Sequence, residues 1–106
     1  MDRGRVLGAD FGAAAADAVG ASFEGLMPDN SRIPEMTGGG QFSLAAGEVT
    51  DDTLMMLVLL ETYADAGYYS REVFFSKMIQ TIRARPKTFG NTTRTLASLA
   101  EQGCSL

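Results

Sequence analysis

Apolar residues recur three or four positions apart along this chain, and no segment alternates apolar and polar residues as a half-buried strand does. Phe74, Met78 and Ile82 form one such stripe, and Leu96 and Leu99 belong to another. This spacing places side chains on one face of a helix. The pattern therefore predicts an all-α fold of about four helices, which span residues 4–20, 50–66, 71–85 and 92–102.

Local signals mark where these predicted helices begin and end. Thr50 can cap the second helix, and Asp51 and Asp52 follow in its first turn, near the positive end of the helix dipole. Ser70 can cap the third helix, and Pro86 stops it. These residues predict sharp boundaries for the second and third helices.

Small residues line one face of the first predicted helix, where Gly8, Gly12, Ala16 and Gly20 fall four apart. Each glycine lowers helix propensity by about 1 kcal/mol relative to alanine. Small residues at this spacing allow another backbone to approach closely, which would offset the cost. We therefore expect a tight helix crossing at this face, with Asp17 beside it.

The middle of the chain joins a loop to an apolar helix. Residues 25–49 are rich in proline and glycine and predict a long loop. The run Leu54–Leu60 has no polar face, so the helix that carries it is expected to be central and surrounded by other elements.

Composition and charge exclude several classes of protein. A chain of 106 residues has room for one small domain. Its net charge of −4 argues against a free-standing nucleic-acid binder, since such domains are usually basic. Histidine, the commonest zinc and copper ligand, is absent. The single cysteine, Cys104, excludes an internal disulfide framework.

No segment reads as a membrane span. Leu54–Leu60 is far shorter than the roughly 20 residues that cross a bilayer. Asp10 and Asp17 interrupt the small apolar residues near the N-terminus, which argues against a signal peptide. We expect no membrane partner and a cytoplasmic location.

The tetrapeptide Thr50-Asp51-Asp52-Thr53 is the most informative motif. Two adjacent carboxylates flanked by hydroxyls offer several hard oxygen ligands of the kind that Mg²⁺ and Mn²⁺ prefer. A bound cation would also relieve the repulsion between the two carboxylates. The alternative is a threonine cap followed by two acids that match the helix dipole.

Two further sets of residues could carry chemistry. Asp17 and Glu24 could act at a site, or could be a hydrogen-bonded residue at a helix crossing and a solvated residue after a helix end. The segment Gly90-Asn91-Thr92-Thr93 leads into the last helix, where backbone N–H groups bind phosphate readily. The alternative for that segment is an ordinary Asn or Thr cap after a glycine.

In order along the chain, these motifs resemble the N-terminal part of the ADP-ribosylglycohydrolase family, which includes the dinitrogenase reductase-activating glycohydrolases and the ADP-ribosyl-acceptor hydrolases. The resemblance covers about residues 4–103. The elements that carry it are the small-residue ladder Gly8–Gly20, Glu24, the stretch Gly47–Thr53 and the segment Gly90–Arg94.

The resemblance implies an all-α fold and a dinuclear Mg²⁺ or Mn²⁺ centre that hydrolyses the bond between ADP-ribose and a modified side chain or small molecule. By position, Thr50, Asp51 and Asp52 would be metal ligands, and Glu24 would be the catalytic acid near the scissile bond. Asp17 and the segment Gly90–Thr93 would lie at the substrate site, Asp17 in a supporting role. The implied partner is an ADP-ribosylated protein or an ADP-ribose derivative.

The chain also departs from the family pattern. Ala16 replaces the glycine usual before the first-helix aspartate, and family members are much longer. Their metal site is completed by a D-x-D-[T/S] motif near the C-terminus, and no such motif follows Thr53. We therefore expect residues 1–106 to form a partial domain, inactive alone, whose exposed apolar surface favours self-association.

Three other interpretations stay open at this point. The chain could be a non-catalytic remnant that binds ADP-ribose or a metal. It could be a structural protein, since the family resembles certain jellyfish lens crystallins. It could also be a small four-helix interaction module, in which case the Thr-Asp-Asp-Thr motif is a coincidence.

Overall fold

A computed structural model of the chain describes residues 2–104. Within them lie four α-helices and no strand, with an isolated antiparallel bridge between Gly39 and Leu44. The all-α prediction is thus confirmed. The helices are α1 (Arg3–Gly20), α2 (Asp51–Ala66), α3 (Arg71–Ala84) and α4 (Asn91–Glu101), and a short 3-10 turn, Pro86–Thr88, precedes α4.

The chain divides into two compact units, Met1–Thr53 and Leu54–Leu106. The first contains α1, the long loop and the first turn of α2. The second contains the rest of α2 with α3 and α4. None of the described helices has both the length and the apolar character needed to cross a bilayer.

In the first unit, the small-residue face of α1 is open. A β-carbon built on Gly8, Gly12 or Gly20 would meet no atom within 4 Å other than its chain neighbours and the nearby backbone of α1. Ala16 is also exposed. The expected tight crossing at this face is therefore wrong for the described residues. The helix begins instead with a local cap, in which the Asp2 carboxylate accepts a hydrogen bond of 2.8 Å from the backbone N–H of Gly4.

The long loop is ordered by its three-glycine run. Gly39 and Leu44 exchange two backbone hydrogen bonds of 2.7 and 3.0 Å. Gly40 approaches the end of α1 so closely that a β-carbon there would lie 2.7 Å from the carbonyl oxygen of Ala21. Leu44 and Ala21 are buried. The predicted loop is confirmed, and its turn packs against the C-terminal end of α1.

In the second unit, α2 buries a single stripe. Leu54, Val58 and Thr62, four residues apart, are buried, and the Thr62 hydroxyl donates a 2.8 Å hydrogen bond to the carbonyl oxygen of Val58. The expectation of a surrounded helix is wrong for the described residues, because several apolar side chains on the other faces are exposed. These are Met55, Leu57, Leu59 and Leu60.

The predicted boundaries of α3 hold. The Ser70 hydroxyl accepts a hydrogen bond of 3.3 Å from the backbone N–H of Val73, which confirms the N-cap. After α3, the turn Pro86–Thr88 leads into Phe89, whose side chain is almost fully buried. An ion pair of 2.5 Å between Arg83 and Glu101 joins α3 to α4.

Candidate functional site

The carboxylate of Asp17, in the last turn of α1, accepts four hydrogen bonds from the start of α2. Its Oδ1 accepts from the Thr50 hydroxyl at 2.5 Å, and its Oδ2 accepts from the Thr50 backbone N–H at 2.8 Å. Oδ2 also accepts from the Thr53 hydroxyl at 2.5 Å and from the Thr53 backbone N–H at 3.3 Å. One side chain from α1 thus organises the whole Thr-Asp-Asp-Thr motif.

This arrangement replaces the cap predicted for α2. The first N–H groups of a helix lack partners within the helix and need an acceptor from outside it. Thr50 precedes the helix as predicted, but its hydroxyl donates to Asp17. The acceptor for Thr53 is the Asp17 carboxylate, which is also a negative charge at the positive end of the helix dipole.

The environment of Asp17 keeps it ionised. Burial alone would raise the pKa of this carboxyl, but the hydrogen bonds from Thr50 and Thr53 outweigh burial and hold the pKa below 3.8. The two threonines are buried, with 4% and 5% of their surface exposed. The result is a persistent carboxylate that holds two buried hydroxyls in place.

A cleft of about 690 Å³ opens beside this carboxylate, entirely within the first unit. Glu24 at its edge is exposed, Asp51 is half-buried and Asp52 is exposed. The lining brings together five of the predicted site residues, namely Asp17, Glu24, Thr50, Asp51 and Asp52. The remaining lining residues are Ala13, Ala16, Gly20, Ala21 and Phe23.

The apolar wall of this cleft was not predicted from the sequence. Phe23 directly precedes Glu24, and Ala13 lies one helical turn before Asp17. Because both residues lie so near predicted site residues in the sequence, their place in the cleft could have been predicted. The small side chains of α1 therefore border open space, and in this way they leave room for a ligand.

The oxygen atoms at the cleft are suitable ligands for a hard cation that keeps part of its hydration shell. Among residues 2–104, no three Asp, Glu or Cys side chains are grouped closely enough to enclose a metal. The available ligands are the carboxylates of Asp51 and Asp52 and the hydroxyl oxygen of Thr50. Mg²⁺ commonly binds through one or two carboxylates and keeps several waters, so this oxygen set is compatible with it.

The segment Gly90–Thr93 belongs to the second unit and is described there by itself. Gly90 is the N-cap of α4 and has no side chain to cap it, and the helix begins at Asn91, one residue earlier than predicted. The Asn91 side chain accepts a 2.5 Å hydrogen bond from Arg94. The alternative of an Asn or Thr cap is therefore wrong, whereas contact with a substrate stays a prediction.

Comparison with known proteins matches residues 1–105 to the model of the ADP-ribosylglycohydrolase family. The chain is 38% identical over 97 residues to ADP-ribosylarginine hydrolase Tri1 of Pseudomonas putida, covering 85% of this chain and 26% of that protein. It is 37% identical over 95 residues to ADP-ribosyl-[dinitrogen reductase] glycohydrolase of Rhodospirillum rubrum, covering 85% and 32%.

A third relative, the Tri1 hydrolase of Serratia proteamaculans, is 40% identical over 97 residues and is covered to 26%. The chain thus spans between 26% and 32% of the length of these three relatives. The match nevertheless includes nearly every residue of the chain, together with all the residues that line the cleft. The chain therefore belongs to the ADP-ribosylglycohydrolase family.

Proposed function

We propose that this chain provides the cation-binding and acid–base half of a hydrolase that releases ADP-ribose from modified protein side chains. The observation that carries the proposal is the shared cleft, where Glu24 lies with Thr50, Asp51 and Asp52 in a member of this family. The printed names of two relatives, an ADP-ribosylarginine hydrolase and an ADP-ribosyl-[dinitrogen reductase] glycohydrolase, support a protein substrate.

Thr50, Asp51 and Asp52 would hold Mg²⁺ or Mn²⁺ at the N-terminus of α2. Bound there, the cation would polarise ribose oxygens and lower the pKa of a coordinated water. Adjacent carboxylates disfavour each other's charge, and a cation bound by Asp51 and Asp52 would relieve that repulsion. Asp52 is exposed and Asp51 is half-buried at the cleft, so a ligand in the cleft can reach both side chains.

Glu24 would act as the general acid or general base of the reaction. The bond to be broken is glycosidic, and its cleavage passes through an oxocarbenium-like transition state. A carboxyl at the edge of the cleft can give a proton to the leaving side chain or take one from the attacking water. Phe23 and the alanines of α1 would exclude water from one wall of the site.

The test measures cation binding and turnover separately. Mn²⁺ added to the ¹⁵N-labelled chain is expected to broaden the amide signals of Asp51 and Asp52, and the double variant D51N/D52N is expected to abolish that broadening. E72Q, which removes an exposed acid on α3, is the matched control and should broaden like the wild type.

Turnover is measured as ADP-ribose released from an ADP-ribosylated arginine peptide in the presence of Mn²⁺. Because residues 1–106 are expected to be inactive alone, the assay uses this chain joined to the remaining part of the Pseudomonas putida hydrolase. Release by the joined protein that is lost in E24Q supports the proposal. Binding of Mn²⁺ and ADP-ribose without release would instead support a non-catalytic binding protein. Broadening that persists in D51N/D52N would refute the proposed cation site.

A further inference from the structure

We propose that Asp17 is a positioning residue that orients the Thr50 hydroxyl and the Asp51–Asp52 pair. This inference rests on the proposed function, because it assigns a purpose to the network beneath the proposed cation site. It also gives a specific form to the supporting role that was expected of Asp17 at the substrate site.

The Asp17 carboxylate is committed mainly to the start of α2. An ionised carboxylate has about four lone-pair sites, two on each oxygen. The Thr50 N–H and both donors of Thr53 share Oδ2, and the Thr50 hydroxyl takes one of the two sites on Oδ1. Although Asp17 borders the cleft, its bonding therefore points toward α2.

The hydrogen bond from Thr50 determines what its hydroxyl can offer to the cleft. A hydroxyl has one hydrogen and two lone pairs. Because the hydrogen goes to Oδ1 of Asp17 at 2.5 Å, the oxygen presents only lone pairs to any other partner. A metal ligand needs lone pairs, and a carboxylate behind a ligand makes that ligand more basic. Asp17 thereby prepares Thr50 to coordinate a cation.

The backbone contacts hold the two acids between fixed points. Asp17 binds the N–H groups of Thr50 and Thr53, and Asp51 and Asp52 are the two residues between them. Both ends of the turn are tied to one carboxylate, so the turn that carries the proposed ligands has one backbone geometry. Without that acceptor, the start of α2 would fray toward water.

The experiment compares Mn²⁺ affinity in D17N and D10N, measured by the broadening of the Asp51 and Asp52 amides. Both variants remove one negative charge from α1, but Asp10 does not line the cleft. Loss of a residue that orients a metal ligand typically weakens affinity by about 10–100-fold. We expect a loss of that size in D17N and less than about twofold in D10N. Equal affinities in the two variants would overturn the inference.

A second measurement needs no metal. In D17N, amide exchange at Thr50 and Thr53 is expected to be at least about tenfold faster than in the wild type, while exchange in α3 stays unchanged. Unchanged exchange at the two threonines would overturn the inference. A third result is also informative. If Mn²⁺ causes no broadening in the wild type but amide exchange is faster in D17N, the cation site is refuted and the capping role of Asp17 is retained.

If D17N does not fold, the pair T53V and T53S supplies the same comparison, since Thr53 does not line the cleft. T53V removes one of the four donors to Asp17, and T53S keeps it. T53V is expected to weaken Mn²⁺ binding several-fold, with T53S close to the wild type. Equal affinities in this pair would count against a positioning role.

Discussion

At the level of single residues, Asp17 and Phe89 show what local sequence signals leave out. Asp17 was expected beside a tight crossing of α1, yet it accepts hydrogen bonds from Thr50, 33 residues further along the chain, and so caps α2. Phe89 directly precedes the segment Gly90–Thr93 and was given no role from the sequence, yet its side chain is among the most deeply buried. The role of Asp17 depends on contacts between distant segments, which spacing along the chain does not encode.

Phe89 is expected to be a major source of stability. Only 2% of its surface is exposed, so F89A removes a large buried ring and leaves a cavity. Such a change costs about 3–5 kcal/mol of the free energy of unfolding, measured by urea denaturation. F11A makes the same substitution at a residue that is 74% exposed and should cost less than about 0.5 kcal/mol. Similar losses in the two variants would contradict this prediction.

At the level of elements, the helices were predicted well because their boundary signals are local. Each end of α2, α3 and α4 was predicted to within one residue of its position in the structure. Ser70 and Pro86 act on their nearest neighbours, so sequence alone is enough to place them.

The faces that the helices bury were predicted less well. Met78 and Ile82 of α3 are buried as predicted, but Leu96 and Leu99 of α4, which were expected to face inward, are exposed. Gly12 borders open space and Leu57 is exposed. Both results depend on how other segments pack, which the spacing within one helix does not determine.

The loop before α2 offers a matched test of its glycines. Gly38 and Gly39 both have positive φ, at 71° and 81°. A β-carbon on Gly38 would lie 2.6 Å from the carbonyl oxygen of Leu44, whereas one on Gly39 would meet nothing within 4 Å. G39A should cost about 1–2 kcal/mol from its backbone conformation alone.

G38A adds a steric overlap with the backbone to that conformational cost. It should therefore be less stable than G39A by about 1–3 kcal/mol. Thermal or urea unfolding followed by circular dichroism measures both variants. If G38A is as stable as G39A, the close approach of Gly38 to Leu44 is wrong.

The contact between α2 and α3 predicts a loss of stability at high pH. Lys77 lies 2.8 Å from Asp65 and 3.4 Å from Glu61. The hydrogen bond to Asp65 is the main reason that the pKa of Lys77 is raised above 10.5; partial desolvation opposes this, and Glu61 adds to it. A raised pKa means that the charged lysine stabilises the fold below its unfolded pKa.

That stabilisation is lost as the pH rises through the folded pKa of Lys77. The free energy of unfolding should therefore fall above pH 10.5, and it should fall less steeply in K77M. The double variant E61Q/D65N removes the same interactions from the other helix and should show the same shallow dependence. Parallel curves for the wild type and both variants would show that these ion pairs do not contribute.

For the whole molecule, the balance of buried and exposed apolar surface is the main finding beyond the fold. The four helices were predicted from the sequence, as were five of the residues that line the cleft. The sequence could not predict which apolar faces stay exposed, because exposure depends on every other segment that packs nearby. Large apolar side chains are exposed on α1, α2 and α4, for example Phe11, Leu57 and Leu96.

These faces predict that the chain associates with itself in solution. Leu57 and Leu60 lie three residues apart on α2, which places them on one helix face, and 44% and 39% of their surface is exposed. Sedimentation velocity should show mass increasing with protein concentration. L57K/L60K places two charges on that face and should shift the distribution toward the monomer. S76K, which adds a charge at an exposed polar position of α3, should not. A monomer at every concentration would contradict the prediction, because by mass action the fraction of associated chains must rise with protein concentration.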